Sequence, residues 1–284
     1  MKFKCLIGTS VFLSMGCFSF TCSAQDTSPC SRELIVQIEH QPPTSYVENG
    51  VVTHGLDVDM IKAILTEAGC PFRWHTEPMS NARTLRGIQV GSLDILANTS
   101  DLPERRIYAH FSRPYRAEVI GLFARPGASL PKIKSLDEVL EAKLPLIAPL
   151  HGWYGTSYDR LRTRFLANNL LTTYVEMSVG TKLLFVEPSR ADLLLIDADV
   201  FEFLMRTQWK QPVIWVTSPM NIEAAHLMLS LKSVAPPVRE RIDQAIERLT
   251  RNGQLRKIET LYRSKEMMKI LEQHRLALPT TTEK

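Results

Sequence analysis

The segment that most constrains this chain is Asn98 to Tyr115, NTSDLPERRIYAHFSRPY. It follows a short apolar run, Leu93 to Ala97, that reads as a buried strand. Small polar residues come next (Asn98, Thr99, Ser100), then two adjacent arginines (Arg105, Arg106) and Phe111-Ser112-Arg113-Pro114-Tyr115. Polar groups and a guanidinium just past a strand end are what a small anionic ligand needs. The segment reads as one lip of a cleft.

Strands and helices alternate on both sides of it. Glu33 to Glu39 has strand alternation, ended by Pro42-Pro43. Asn49-Gly50 between Tyr46-Val47 and Val51-Val52 is a hairpin signal. Asp57 to Ala68 reads as a helix, with Met60, Ile61, Ile64 and Leu65 on one face and Gly69 as its end. Phe72 to His75 is a second strand and Arg83 to Val90 a second helix. After the central segment, Glu118 to Phe123 is a strand, broken by Pro126 and Gly127. A second unit then begins. Its expected helices are Ser135 to Leu140, Gly152 to about Leu166, Thr181 to Phe185 and Val200 to Met205. Its expected strands are Pro145 to Ala148, Tyr174 to Met177, Ala191 to Ile196 and Val213 to Val216. Ala224 to Leu231 is strand-like and returns the chain to the first unit, where Val238 to Tyr262 is helical with a break at Asn252-Gly253.

This alternation predicts an α/β protein with parallel-rich sheets and right-handed crossovers. The expected division is a first lobe over 25–122, a second over 123–224, a return over 225–265 and a C-terminal tail over 266–284. Two crossings, near 118–126 and 222–231, would form a two-strand hinge with a cleft between the lobes.

The N-terminus reads as a secretory signal peptide. Lys2 and Lys4 precede an apolar stretch from Leu6 to Phe20, and Cys22-Ser23-Ala24 supplies small residues before a cut after Ala24. A retained anchor and a lipoprotein cut before Cys17 are the other readings. No stretch in the body reaches the roughly 18 apolar residues of a membrane span. Dispersed lysines and arginines make nucleic acid a poor partner. Of five cysteines, Cys30 and Cys70 remain after the leader. They precede the first and second strands, so parallel pairing would bring them to one sheet edge and make a disulfide reasonable in an oxidising compartment. Two free thiols are the alternative. There is no Gly-x-Ser-x-Gly elbow, phosphate loop or zinc-type Cys/His cluster. The seven histidines are scattered, so neither metal nor cofactor is expected.

Five motifs in order carry a resemblance: Gly55-Leu56-Asp57-Val58-Asp59, Gly91-x-Leu93-Asp94, Pro103-Glu104-Arg105, Phe111-Ser112-x-Pro114-Tyr115, and Asn252-Gly253 before a helix with Tyr262. Over about residues 33–265 the chain resembles the periplasmic solute-binding proteins of family 3, the polar amino-acid receptors of ABC importers. The resemblance implies the two-lobe, type II periplasmic-binding-protein fold, closing on its ligand by bending at the hinge. It implies a periplasmic monomer that captures a small carboxylate-bearing solute, most simply an amino acid, and meets a membrane permease or receptor.

The resemblance also implies site residues. Arg105 would hold the ligand carboxylate as a bidentate partner, with Arg106 the alternative if the loop is one residue shorter. Ser100 matches a family serine that uses hydroxyl and amide, and Thr99 lines the same loop. In the second lobe Gly152 would open a helix whose N-terminus attracts the carboxylate. Trp153 and Tyr154 replace small residues there and either stack on the ligand or fill the cleft wall. Asp197 would accept the ligand amine, the alternative being a helix cap, with Asp199 close by. Glu39 and Tyr46, after the first strand, would face the ligand side chain, although Glu39 is equally a solvated strand-end acid.

Two other functions fit the same fold. Some members are secreted cyclohexadienyl dehydratases, which need a general acid; Glu39 or His151 would serve. Others are ligand-sensing modules of receptors.

Overall fold

The computed structural model describes residues 30–273. The leader read over residues 1–24 and the chain end from Pro279 to Lys284 lie outside the described residues.

The first half of the architecture follows the alternation closely. Strand β1 (Leu34–Gln37) leads through a hairpin, β2 (Val47–Glu48) and β3 (Val51–Val52), into helix α1 (Leu56–Glu67). Then come β4 (Phe72–His75), α2 (Asn81–Val90), β5 (Ile95–Thr99) and β6 (Ala109–Phe111). Strand β7 (Arg116–Ala124) enters the second half, made of α3 (Leu136–Glu141), β8 (Leu146–Pro149), α4 (Thr156–Ala167), β9 (Leu171–Tyr174), α5 (Met177–Val186), β10 (Leu193–Asp197) and α6 (Ala198–Leu204). Strand β11 (Asn221–Ser230) returns to the first half, covered by α7 (Pro236–Arg251) and α8 (Gln254–Tyr262), and α9 (Lys265–Gln273) follows.

The sheet is mixed and continuous, in the order β4-β1-β5-β11-β7-β10-β8-β9, with β6 also on β11. β1 pairs in parallel with β4 and β5; β10 with β8, and β8 with β9, are parallel too. The antiparallel pairs β5–β11, β11–β7 and β7–β10 join the two parallel groups. The α/β class is as expected. No described helix is long and apolar enough to cross a membrane.

Each half buries its own apolar layers. In the first, Leu34 and Val36 pack with Met60, Ile61, Ile64 and Leu65 of α1 and Ile242, Ile246 and Leu249 of α7. The unbroken apolar run Leu193 to Ile196 is covered on both faces, as such runs must be. Leu194 and Ile196 meet Leu184 and Phe201; Leu193 and Leu195 meet Val139, Leu161 and Phe165. Cys30 and Cys70 are joined in a disulfide at the edge where β1 and β4 begin, with Cα atoms 5.0 Å apart.

Several expected elements differ. β5 runs on through Asn98 and Thr99 because Thr99 pairs with His226 and its hydroxyl donates to the His226 carbonyl (2.9 Å). Tyr174 to Met177 is not a strand: β9 ends at Tyr174, and Met177 starts α5, where its carbonyl accepts the Thr181 hydroxyl. Val213 to Val216 forms only a bridge between Trp215 and Phe123 and lies along the part of β7 that β11 leaves uncovered. Gly152 does not begin a helix. Left-handed Gly152 and Gly155 (φ 98° and 97°) hold an irregular loop, and α4 starts only at Thr156. Helix α9 had no expectation behind it. Its Met267 is fully buried and, with Leu271, joins the core of the second half.

Polar clusters brace the frame, and one of them, Arg263 with Asp199, joins the halves. Asp57 accepts from Arg116 at 2.6 and 3.0 Å and from the Tyr115 hydroxyl at 2.7 Å. Arg263, between α8 and α9, pairs with Asp199 at 2.8 Å and with Glu259. Both guanidiniums also donate to the Ala117 carbonyl. Asp94 accepts from Arg32 (2.8 and 2.6 Å), from the Ile35 amide (2.7 Å) and from the Ser233 hydroxyl. Asp59 accepts the Tyr262 hydroxyl, which in turn takes the Gly55 amide.

Two outcomes follow from these pairs. Asp199→Asn leaves a buried guanidinium with Glu259 alone and is expected to cost about 3 kcal/mol in denaturant unfolding. Burial raises the Asp94 carboxyl, but the hydrogen bonds from Arg32, Ser233 and Ile35 outweigh it and hold the group below its usual range. A carboxyl lowered by folding stabilises above its unfolded value and loses that contribution as pH falls through the folded one. Wild type should therefore exceed Asp94→Asn in unfolding free energy at neutral pH, with the gap closing below roughly pH 4.

Candidate functional site

Strand register sets the floor of the site. Ile120 of β7 stands opposite Asp197 of β10 and Asn221 of β11, and Glu118 stands opposite Glu223. Opposed residues share a sheet face, and so do residues two apart. Asp197, Glu118, Asn221 and Glu223 therefore share the face that Leu122, Leu193 and Leu195 occupy farther along. The polar group lies at the end of that face where β7 and β11 pass into the first half.

The first half supplies Asn98 from the end of β5. Its backbone is left-handed (φ 49°), a conformation asparagine tolerates. The register of β11 against β5 shifts here, between His226 and Met228. The Asn98 amide N–H donates to the Tyr115 hydroxyl (3.1 Å), so the buried Asp57 cluster fixes this kink. That turns the side chain toward Glu118, to which Nδ2 donates at 3.1 Å, while the buried Oδ1 has no partner.

The second half supplies Asp197 and the loop before α4. Asp197 caps α6, with Oδ1 accepting from the Val200 amide at 3.0 Å. Its Oδ2 is buried and has no partner among the described residues. Burial, Asp199 and Glu118 push the Asp197 carboxyl well up, against the pull of Arg116. Burial also raises Glu118; Arg116 and the Asn98 amide oppose this, and Asp57 and Glu223 add to it. The Trp153 indole donates to Glu223 at 2.6 Å, and Asn221 Nδ2 donates to the same oxygen at 3.1 Å. Burial, with Glu118 and Asp197 adding to it, raises the Tyr154 hydroxyl. Gly155 is required here. Its φ is 97°, and a Cβ would sit 2.8 Å from Asn221 Cγ.

The residues singled out in the sequence fall into distinct environments. Arg105 ends a 3-10 turn (Pro103–Arg105), is half-buried, and makes no side-chain hydrogen bond among the described residues. Arg106 is exposed and holds Asp101 through two bonds of 2.7 and 2.8 Å. Ser100 is buried, with its hydroxyl unpartnered among the described residues; the Thr99 hydroxyl is committed to His226. Glu39 is exposed, with one oxygen on the Met79 amide at 3.1 Å. Tyr46 stacks on His54 with ring centres 4.1 Å apart and meets Phe203 of α6 edge-on at 6.0 Å. Gly152 is exposed, three residues before the Gly155 cap. Asp197 and Trp153 share the floor, while Asp199 is taken by Arg263. His151 is exposed. No cluster able to hold a metal occurs among the described residues.

Sequence reasoning missed Glu118, Asn221 and Glu223. The signal was there: one acid inside the apolar run EVIGLF and another inside NIEAAHLML.

The family model for bacterial extracellular solute-binding proteins, family 3, matches residues 34–265. The chain belongs to that family. The resemblance read from the five motifs is thereby borne out. Among curated proteins, none matches by sequence. Similar solved structures include the arginine-, lysine-, histidine-binding protein ArtJ from Geobacillus stearothermophilus, at 14% identity and TM-score 0.64, covering 84% of this chain and 99% of that one. A histidine kinase sensor domain similar to periplasmic binding proteins aligns at 16% identity and TM-score 0.67, covering 81% and 96%. The ancestral amino acid-binding protein AncCDT-1, a precursor of cyclohexadienyl dehydratase, aligns at 21% and TM-score 0.63, covering 81% and 94%. These likenesses establish the type II periplasmic-binding-protein fold for this family member.

The Gly155 contact generates a direct expectation. Gly155→Ala both strains the backbone and pushes on Asn221, and should cost about 2 kcal/mol in denaturant unfolding. It should also change Trp153 fluorescence, since that indole shares an acceptor with Asn221.

Proposed function

We propose that this chain is a secreted solute-binding protein that takes an amino acid in a cleft between two lobes. The lobes are residues 25–122 with the return 225–265, and residues 123–224, and β7 with β11 is the hinge about which they close. The N-terminal leader directs the chain to the periplasm, where it acts as a monomer. Arg105 binds the ligand carboxylate, with Ser100 beside it, and Asp197 accepts the ammonium. Thr99 supports the wall through His226, and Trp153, Tyr154 and Tyr46 supply apolar cover. Gly152 gives the loop its turn; the helix start that faces the site belongs to Gly155. The closed form then meets a membrane permease of an ABC importer.

One observation carries this reading. Of two adjacent arginines, Arg106 is spent on Asp101, while among the described residues the Arg105 guanidinium makes no hydrogen bond and the Ser100 hydroxyl, earlier in the same segment, has no partner. A half-buried guanidinium with no acid is a ready partner for a ligand carboxylate. The orphaned Asp197 oxygen supplies the complementary acceptor.

A sensor role is the second reading, favoured by the likeness to the histidine kinase sensor domain. It uses the same site with a receptor as partner.

The test is a thermal-shift screen against amino acids and organic acids. A ligand at about 100 times its Kd should stabilise by about 2.7 kcal/mol. Arg105→Ala should abolish the shift and Arg106→Ala should retain it. Loss with Arg106→Ala alone would overturn the assignment. Turnover of a cyclohexadienyl acid by the wild type would replace binding with catalysis.

A further inference from the structure

Glu118 and Glu223 stand directly opposite each other on β7 and β11, the strands that join the two halves. Like charges in this position repel. Among the described residues neither carboxylate has a cationic partner within hydrogen-bond reach. Glu118 takes the Asn98 amide, and Glu223 takes the Trp153 indole and the Asn221 amide; all three donors are neutral. Arg116, on the same strand, is held by both oxygens of Asp57. Two acids opposed in this way gain from a cation placed between them.

A second observation points to a ligand. Asp197, on the same face one strand away and 1% exposed, keeps Oδ2 without a partner. Asn98 keeps Oδ1 without a partner while its Nδ2 lies on Glu118. That Nδ2 contact also fixes the amide orientation, since a flip would turn oxygen onto carboxylate. The second oxygens of Glu118 and Glu223 accept no hydrogen bond among the described residues. An α-ammonium has three donors and one charge. The open acceptors here outnumber its donors.

We infer that the ligand carries a second cationic group, an ammonium or guanidinium on its side chain, and that Glu118 and Glu223 receive it at the floor of the cleft. This rests on the reading of Arg105 and Asp197 above and narrows the ligand to dibasic amino acids. A neutral side-chain amide donates hydrogen bonds but leaves the opposed charges uncompensated. The indole of Trp153, pinned to Glu223, adds an aromatic face beside the cation.

The test uses the secreted full-length protein in calorimetric titrations with L-arginine, L-lysine, L-glutamine and the carboxylate-free diamine cadaverine. Arginine or lysine should bind at least about tenfold tighter than glutamine, the value of one charge-assisted contact. Glu118→Gln and Glu223→Gln, both close in shape to glutamate, should each erase most of that preference. Melting of the unliganded variants checks that they fold. If glutamine binds as tightly as arginine, or both variants keep the preference, the inference falls while the amino-acid reading stands. Binding of cadaverine without any amino acid leaves the acidic floor supported and overturns the amino-acid reading. Failure of every cationic probe overturns the inference.

Discussion

The structure depends on how one carbonyl is shared. The Ala117 oxygen accepts from two buried guanidiniums, Arg116 and Arg263. Neither charge would be tolerated alone in such a place, and each brings its own acid: Asp57 from the first helix and Asp199 from the second half. The residue at the crossing of β7 is thus gripped from both sides. Asp57 in turn holds Tyr115, Tyr115 holds the Asn98 amide, and Asn98 presents its side chain to Glu118. A chain of polar contacts runs from a helix start to the floor of the candidate site.

Much of the fold was legible because its signals are local. Strand and helix alternation, the Asn49-Gly50 turn and the Asn252-Gly253 break each state their own geometry within a few residues. The apolar run Leu193 to Ile196 announced a doubly covered strand. Failures came where tertiary contacts override local preference. Val213 to Val216 is apolar and mostly β-branched, yet it makes only a single bridge to β7, at Trp215, held by the bonds of Ile214 and Val216. Asn98 and Thr99 resemble a polar loop, yet β11 extends the ladder across them. Gly152 and Gly155 both suit a helix start. Nothing within the loop reveals that Asn221, far along the chain, selects Gly155.

The site was legible in part for a related reason. A motif shows that residues matter without saying to what. Asp57, Asp59, Asp94 and Ser112 all belong to the motifs behind the family resemblance, and all bond within the protein: to Arg116, Tyr262, Arg32 and the Leu227 amide. These are framework residues. Glu118, Asn221 and Glu223, which meet at the floor, belong to no motif. The sequence marks two of them only as acids in apolar runs, and antiparallel register is what sets those acids opposite each other.

Helix α9 has a mechanical consequence. By burying Met267 in the core of the second half, it makes the chain pass between the halves a third time, beside β7 at Arg263. Three passages between two bodies resist sliding and twisting more than two do. The stiffness has a chemical source, because shear would pull the buried Arg263 from Asp199 with no water to replace it. The third passage thus adds a buried ion pair to the two strands that join the halves.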